Sequence, residues 1–474
     1  MPPDIRHVVF LMQENQSFDR MLGWLPPPHD VARPGARLAI VPRPDQDWLG
    51  PSFEVTWGPG AVRRTMFATP HFPGTWLRKG FWPNAPRGLP YDQSEARQPQ
   101  VVAEKMTRSS VARAFRAEER QAARVTELAR AIVTQSFVHL SATDVPVYDF
   151  LARNFVVCNR WFATEGSFTW PNRMALAQDR RWAFGDPRAA GLKGVLGAAG
   201  IELEMLGWGY GASVMRWLSP TFAGYTGAFG ADSWRDQLDR VFDRWDHESD
   251  RPHFLWVEST HSATGTRRLC NDHRYASVLD GQAFVRDIYQ SLRAHPSIWE
   301  HCLFVVTYDE HGGWYDHVIP PRAPWARTGS ERWRDRLGGR VPTFLVSPWV
   351  RAGALHDTLD HTSLLAWLAL TFPPAAGRPR PALGLSGHHH GDPFANAWVG
   401  APRDIPAAPP DPWTGFDPRV EGSLALAYAR YLGPHGRPDW FDASAAEEQD
   451  PDALSAQVAA TVEGVVVVPD PEEA

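Results

Sequence analysis

The feature that most constrains this chain is a set of short, wholly apolar runs, several of which end in clusters of polar and acidic residues. HVVFLM (residues 7–12) runs into Gln13, Glu14 and Asn15; PHFLWVE (252–258) runs into Ser259, Thr260 and His261; LFVVTYDE (303–310) runs into His311, Gly312 and Gly313. PTFLVS (342–347) is a fourth apolar run. Unbroken apolar runs of this length, rich in β-branched residues, are what strands look like when both faces of a sheet are covered. Helical patterns lie between them. Residues 281–294 place Phe284, Ile288 and Leu292 at helical spacing, and a further helix is predicted around 363–372. Ser17 is placed to cap a helix over 18–25, stopped by Pro26. Residues 145–162 predict a helix leading into a buried strand, and 111–133, rich in Ala, Arg, Glu and Leu, another helix. Strands alternating with helices predict an α/β fold: a mainly parallel sheet with helices on both faces.

The chain has 474 residues, enough for one large domain or two to three smaller ones. A net charge of −6 argues against a nucleic-acid backbone as partner, which demands a basic face, but leaves room for a small basic pocket. No stretch approaches the roughly 20 uninterrupted apolar residues of a membrane helix. The start, MPPDIRHVVFLMQEN, does not read as a secretory signal, so the expectation is a cytoplasmic protein or a mature secreted form. Cys158, Cys270 and Cys302 form neither a disulfide framework nor a zinc spacing. Residues 26–100, rich in Pro, Gly and Trp, read as loop with short elements, and most of the 22 Trp as packing. The boundary is placed at 400: residues 1–400 form the main domain and 401–474 a partly packed extension with an acidic tail.

In open parallel sheets, ligands bind beyond the carboxyl ends of the strands. Taken singly, each polar cluster has a bland reading: Glu14-Asn15 as a cap or turn, His261 as a structural histidine. Together they would be aimed by one sheet at one place, where oxygen donors suit a hard or borderline divalent cation. Asp309 and Glu310, adjacent and facing a Gly-Gly turn, demand a compensating positive charge. CNRWFATEGSFTWPNRM (158–174) runs from a buried strand into Thr169 at the start of a helix. A hydroxyl there is either a helix cap or, if a metal lowers its pKa, a nucleophile. The tract His388-His389-His390, and His311 with His317, are further metal-binding candidates beside a loop reading; His361 reads as structural.

HVVFLMQENQSFDRMLGWL, FTWPNRM, NDH, FVVTYDEHGGWYDHVIPP, and VPTFLVSPWVRAG followed by DHTSLLAWL occur in one order between residues 7 and about 370. Together they resemble the bacterial phosphoesterase family of non-haemolytic-type phospholipases C and acid phosphatases. The resemblance implies an alkaline-phosphatase-like αβα sandwich with Pro/Trp-rich insertions. It further implies that Glu14, Asn15, Asp309 and Glu310 bind a divalent metal, Zn, Mn, Mg or Ca. Thr169 would be the nucleophile, forming a covalent phospho-threonine. His273 of the NDH block, and less closely His261, would contact phosphate oxygens or protonate the leaving group. The substrate would be a small-molecule or lipid phosphoester, mono- or diester.

The chain also departs from that pattern. The stretch 91–100 offers no histidine where the family often carries Asp-Pro-x-His, Ser167-Phe168 replace a Gly-Pro, and Asn159 replaces an aspartate. These changes point to an altered substrate preference. Two competing readings stay open at this level: a sulfatase- or phosphonate-type hydrolase on the same fold, and a catalytically silent binding homologue.

Overall fold

A computed structural model describes residues 4–25, 144–166, 169–180, 189–207, 234–259, 270–272, 278–312 and 337–405, the backbone of 36–40 and 53–57, and isolated positions at 140, 142, 316, 318, 320–325 and 408–412. The expected helix over 111–133 and nearly all of the extension 401–474 lie outside them.

Among the described residues the central sheet has seven strands, in the order Gly353–Leu355, Val156–Cys158, Phe344–Val346, Cys302–Tyr308, His7–Gln13, His253–Val257 and Leu203–Leu206. The described elements are, in chain order, β1 (His7–Gln13), α1 (Phe18–Leu22), the antiparallel pair β2 (Ala36–Ile40) and β3 (Phe53–Trp57), α2 (Pro146–Asn154), β4 (Val156–Cys158) and β5 (Trp161–Phe162). Then follow α3 (Thr169–Gln178), α4 (Gly191–Ala199), β6 (Leu203–Leu206), α5 (Trp234–Asp246), β7 (His253–Val257) and α6 (Val278–Ala294). The short α7 (Pro296–Trp299), β8 (Cys302–Tyr308), β9 (Phe344–Val346), β10 (Gly353–Leu355), β11 (Leu359–Asp360) and α8 (His361–Thr371) complete the set.

β1 lies between β7 and β8 and pairs in parallel with both, and every residue of β1 and of β8 is buried. That burial on both faces is why these segments carry unbroken apolar runs. β9, the PTFLVS run, is antiparallel to both β4 and β8, so it is the one strand of the central sheet that reverses. Outside it, β5 and β11 form a separate parallel pair.

Two helix groups flank the sheet. α2, α5 and α6 pack together, as do α3, α4 and α8. Trp161, Trp245 and Trp256 are among the largest fully buried side chains, so these tryptophans are core. All three cysteines are buried. Among the described residues no helix is long and apolar enough to cross a membrane.

α1 is shorter than expected. Ser17 caps it, accepting from the Arg20 N–H, but it stops at Leu22, where the Gly23 N–H bonds the Asp19 carbonyl. A Cβ on Gly23 would lie 2.3 Å from that carbonyl oxygen, so the tight exit requires glycine.

Candidate functional site

β1 and β8 run side by side with Gln13 opposite Tyr308, so the residues that follow them emerge together. The Asn15 N–H donates to Asp309 Oδ1 at 2.9 Å, and the Asn15 side-chain amide donates to Glu14 Oε2 at 3.1 Å. Asn15 adopts φ 62, a left-handed conformation uncommon outside glycine and found disproportionately at functional sites. Gly312, at φ 67, is the residue that permits this approach: a Cβ there would lie 2.2 Å from the Asn15 carbonyl oxygen. The Gly-Gly turn after Asp309-Glu310 therefore leaves room for the Glu14-Asn15 turn.

Asp309 Oδ1 also accepts the Glu310 N–H at 2.7 Å, while the His361 ring donates through Nε2 to the Asp309 carbonyl at 2.9 Å. His361 is thus a positioning group at the start of α8, in line with its structural reading. Burial lowers its pKa, partly opposed by its bond to Asp309. The Glu310 side chain is turned to its own loop, with Oε2 accepting the Gly312 N–H at 2.8 Å and lying 3.5 Å from His311 Nδ1.

The binding element that sequence reasoning missed is Arg173. It lies on α3, four residues after Thr169 and so on the same helix face, one turn away. Its guanidinium reaches Glu14 Oε1 at 3.3 Å, Glu258 Oε1 at 2.5 Å and Asp309 Oδ2 at 3.5 Å, and donates to the Met12 carbonyl at 2.9 Å. Burial opposes its charge, but the carboxylates of Glu258, Glu14 and Asp309 outweigh that and hold it firmly protonated. Glu258 follows β7, so this one side chain ties together the ends of β1, β7 and β8. The signal was the Arg in the TWPNR block, quoted but given no role; Glu258 was read only as a strand end.

Thr169 is buried and is the first residue of α3, so the N–H groups of that first turn have no intrahelical acceptor. Pro171 fits because a proline is tolerated within the first turn. Asn172 clamps the incoming loop, accepting from the Glu165 N–H at 2.8 Å and donating to the Glu165 carbonyl at 3.2 Å. His261 and His273 lie outside the described residues. Asp272, immediately before His273, is buried at φ 61, with Oδ2 2.6 Å from the Tyr308 hydroxyl and 3.4 Å from that of Tyr148. Burial, opposed by these phenol bonds, pushes its carboxyl up to about 8.

The donor set fits a divalent cation on charge. Among the described residues one guanidinium faces three buried carboxylates, and Asp309 Oδ2 has no hydrogen bond, only the 3.5 Å contact with Arg173. Glu14, Asn15, Asp309 and Glu310 are brought to the same strand ends. Glu14, Asp309 and Glu310 do not, however, form a tight His/Cys/Asp/Glu trio. Among the described residues such trios lie at Asp360-His388-His389 and at Asp243-Asp246-His295.

Comparison with known proteins follows the same blocks. The model of the Phosphoesterase family matches residues 5–190 and 241–373. The chain is similar to non-specific phospholipase C3 of Arabidopsis thaliana, 28% identical over 399 residues that cover 78% of this chain and 69% of that protein. Phospholipase C B of Mycobacterium tuberculosis is 25% identical over 442 residues, covering 80% and 75%. A solved structure of a protein in the alkaline phosphatase superfamily from Vibrio parahaemolyticus matches at 12% identity and TM-score 0.31 over 50% of this chain and 62% of that one.

Proposed function

The chain belongs to the Phosphoesterase family, and from that premise we propose that it is a metal-dependent hydrolase of phosphoric esters, of phospholipase C type, using Thr169 as a covalent nucleophile. The observation that carries this reading is Arg173. From the helix that begins at Thr169, it bridges Glu14 and Asp309, two of the four proposed metal ligands.

Glu14, Asn15, Asp309 and Glu310 would hold the cation. When bound, it supplies charge neutralisation of phosphate oxygens and lowers the pKa of a nearby hydroxyl. The protein's own residues do the rest. The first-turn N–H groups of α3 put positive potential beside Thr169, where the phosphoryl group would sit, and Arg173 holds the carboxylates of Glu14 and Asp309 in place. Thr169 releases its hydroxyl proton to solvent and attacks phosphorus in line through Oγ, the phosphorus–oxygen bond to the alcohol breaks, and a phospho-threonine forms. The departing alkoxide takes a proton from His273 or His261, a general-acid contribution of ~10²–10⁴-fold. Water then cleaves the phospho-threonine, releasing phosphate or a phosphomonoester and restoring the hydroxyl.

The substrate class follows from the relatives, whose names assign them to phospholipases C. A phospholipid diester should be hydrolysed in preference to a soluble monoester. A panel of phosphatidylcholine vesicles, an aryl phosphodiester, an aryl phosphate and an aryl sulfate tests this. Turnover of the diesters, lost in Thr169→Ala, is the expected result; turnover of the sulfate alone would sink the reading.

A further inference from the structure

We propose that Asp360, His388 and His389 form a binding site for a divalent transition-metal cation of the zinc class, apart from the phosphoester site. One ligand atom from each lies within 4.8 Å of the other two. Two imidazoles and a carboxylate suit zinc and its neighbours, in contrast to the oxygen-only donors of the phosphoester site.

The arrangement of bonds around the trio carries the proposal. Asp360 Oδ1 is committed to capping α8, accepting the Thr362 N–H and the Thr362 hydroxyl, each at 2.6 Å. Its other oxygen, Oδ2, faces His388 Nε2 at 3.8 Å. The opposite nitrogen of that ring, Nδ1, bonds the Leu385 carbonyl, which can only accept, so Nδ1 carries the proton. In the neutral ring Nε2 therefore presents a lone pair to a carboxylate oxygen, and two such acceptors call for a cation between them. A backbone carbonyl fixing the far nitrogen is the usual support of a metal-bound histidine. The His389 ring lies 3.8 Å from that of His388, with Nε2 3.0 Å from Ser363 Oγ.

The loop that carries the histidines is pinned in advance. The Asp179 carboxylate accepts the Gly384 N–H, the Ser386 N–H and the Ser386 hydroxyl, all at 2.6 Å. Trp325 covers one edge of the His388 ring at 5.2 Å. Both histidines keep partial exposure, so an ion has a way in. Next in the chain, His361 holds the Asp309 carbonyl, so an ion at Asp360 would brace the start of α8 beside the phosphoester site.

The test is titration of the chelator-treated full chain with Zn²⁺ and, for visible absorption, Co²⁺. The variant His388→Gln/His389→Gln should bind one fewer equivalent of zinc per chain than the unaltered protein and lose the cobalt absorption. His390→Gln, an exposed neighbour, should change neither. Asp309→Asn should leave the nitrogen-ligated cobalt spectrum intact, so failure of the phosphoester reading and failure of this one are separately visible. Should the double variant lose its circular dichroism, the single variants His388→Gln and His389→Gln serve instead, each with at least tenfold weaker zinc binding expected. Equal zinc stoichiometry in variant and parent would overturn the proposal by leaving a protonated His388 paired with Asp360. So would a loss in His390→Gln as large as in His389→Gln, the mark of an unstructured histidine tract.

Discussion

Arg340 and Arg173 are both fully buried, and both bridge carboxylates delivered from distant parts of the chain. Their surroundings differ. Arg340 donates to Asp19 Oδ1 and Asp316 Oδ1, each at 2.9 Å, and to the Asn159 carbonyl at 2.9 Å, and its guanidinium lies 4.4 Å over the Phe18 ring. Asp316 also accepts the Val318 N–H at 2.9 Å. Around Arg173 three carboxylates share one guanidinium, and Asp309 Oδ2 is left without a hydrogen bond. The first cluster is saturated with donors and reads as a brace. Among the described residues the second brings three carboxylates to one guanidinium at the ends of three strands, an arrangement that suits a cation. Asp19 of the ENQSFD block and Asp316 of the YDH block thus brace the fold, while their block neighbours Glu14, Asn15, Asp309 and Glu310 are the proposed metal ligands.

Substitutions in the two clusters should therefore separate activity from stability. The largest effect is expected at the proposed nucleophile: Thr169→Ala should lower phosphodiester turnover by roughly 10⁴-fold or more with an unchanged urea midpoint. Next, Arg340→Met strands two buried carboxylates and should cost about 3–5 kcal/mol, read from urea unfolding. Retained stability there would mean the brace is not one. Arg173→Met should instead make turnover depend more steeply on added divalent ion, since the three carboxylates then lose the guanidinium they share; an unaltered metal dependence would separate Arg173 from the site.

Asp272 offers a third treatment of a buried carboxyl, with phenols in place of arginine, and gives two smaller effects. Gly281→Ala on α6 would set a Cβ 1.9 Å from Asp272 Oδ1, and the displacement should cost about 1–3 kcal/mol by overpacking. The pH effect has a defined sign. The folded carboxyl, pushed up to about 8, holds a proton that the unfolded chain releases near 3.8. Its contribution is fully present below about pH 4 and is lost as pH rises toward 8. Asp272→Asn keeps an acceptor for Tyr308 without the proton, so the fall in stability across that window should flatten. A slope the same in variant and parent would assign the effect elsewhere.

The strands β1, β7 and β8 were legible because burial over all or nearly all of their length favours an apolar run. β9 was legible as a strand but not in its direction, since an apolar run carries no information on polarity. The buried strand expected at the end of 145–162 is present as two short strands, β4 and β5, whereas β6, β10 and β11, four, three and two residues, fall below any periodic signal and exist through pairing with distant partners. α4 and α5 lie in the stretch 175–250, which had no family block to mark it. At the site, Glu14, Asn15, Asp309 and Glu310 were readable because strand ends aim them at one place. The role of Arg173 was not, because a helix residue shows its partners only once α3 is laid across the sheet. Likewise Gly312 reads as part of a turn until Asn15 is seen against it.

The central claim is that Thr169 becomes phosphorylated at the carboxylate-rich ends of these strands. Acid-quenching the protein during turnover of an aryl phosphodiester and mapping the modified peptide by mass spectrometry tests it directly. The account predicts one phosphoryl-type adduct on the peptide containing Thr169, absent from Asp309→Asn. Steady turnover with that peptide unmodified at every quench time, or with the adduct on another residue, would contradict it.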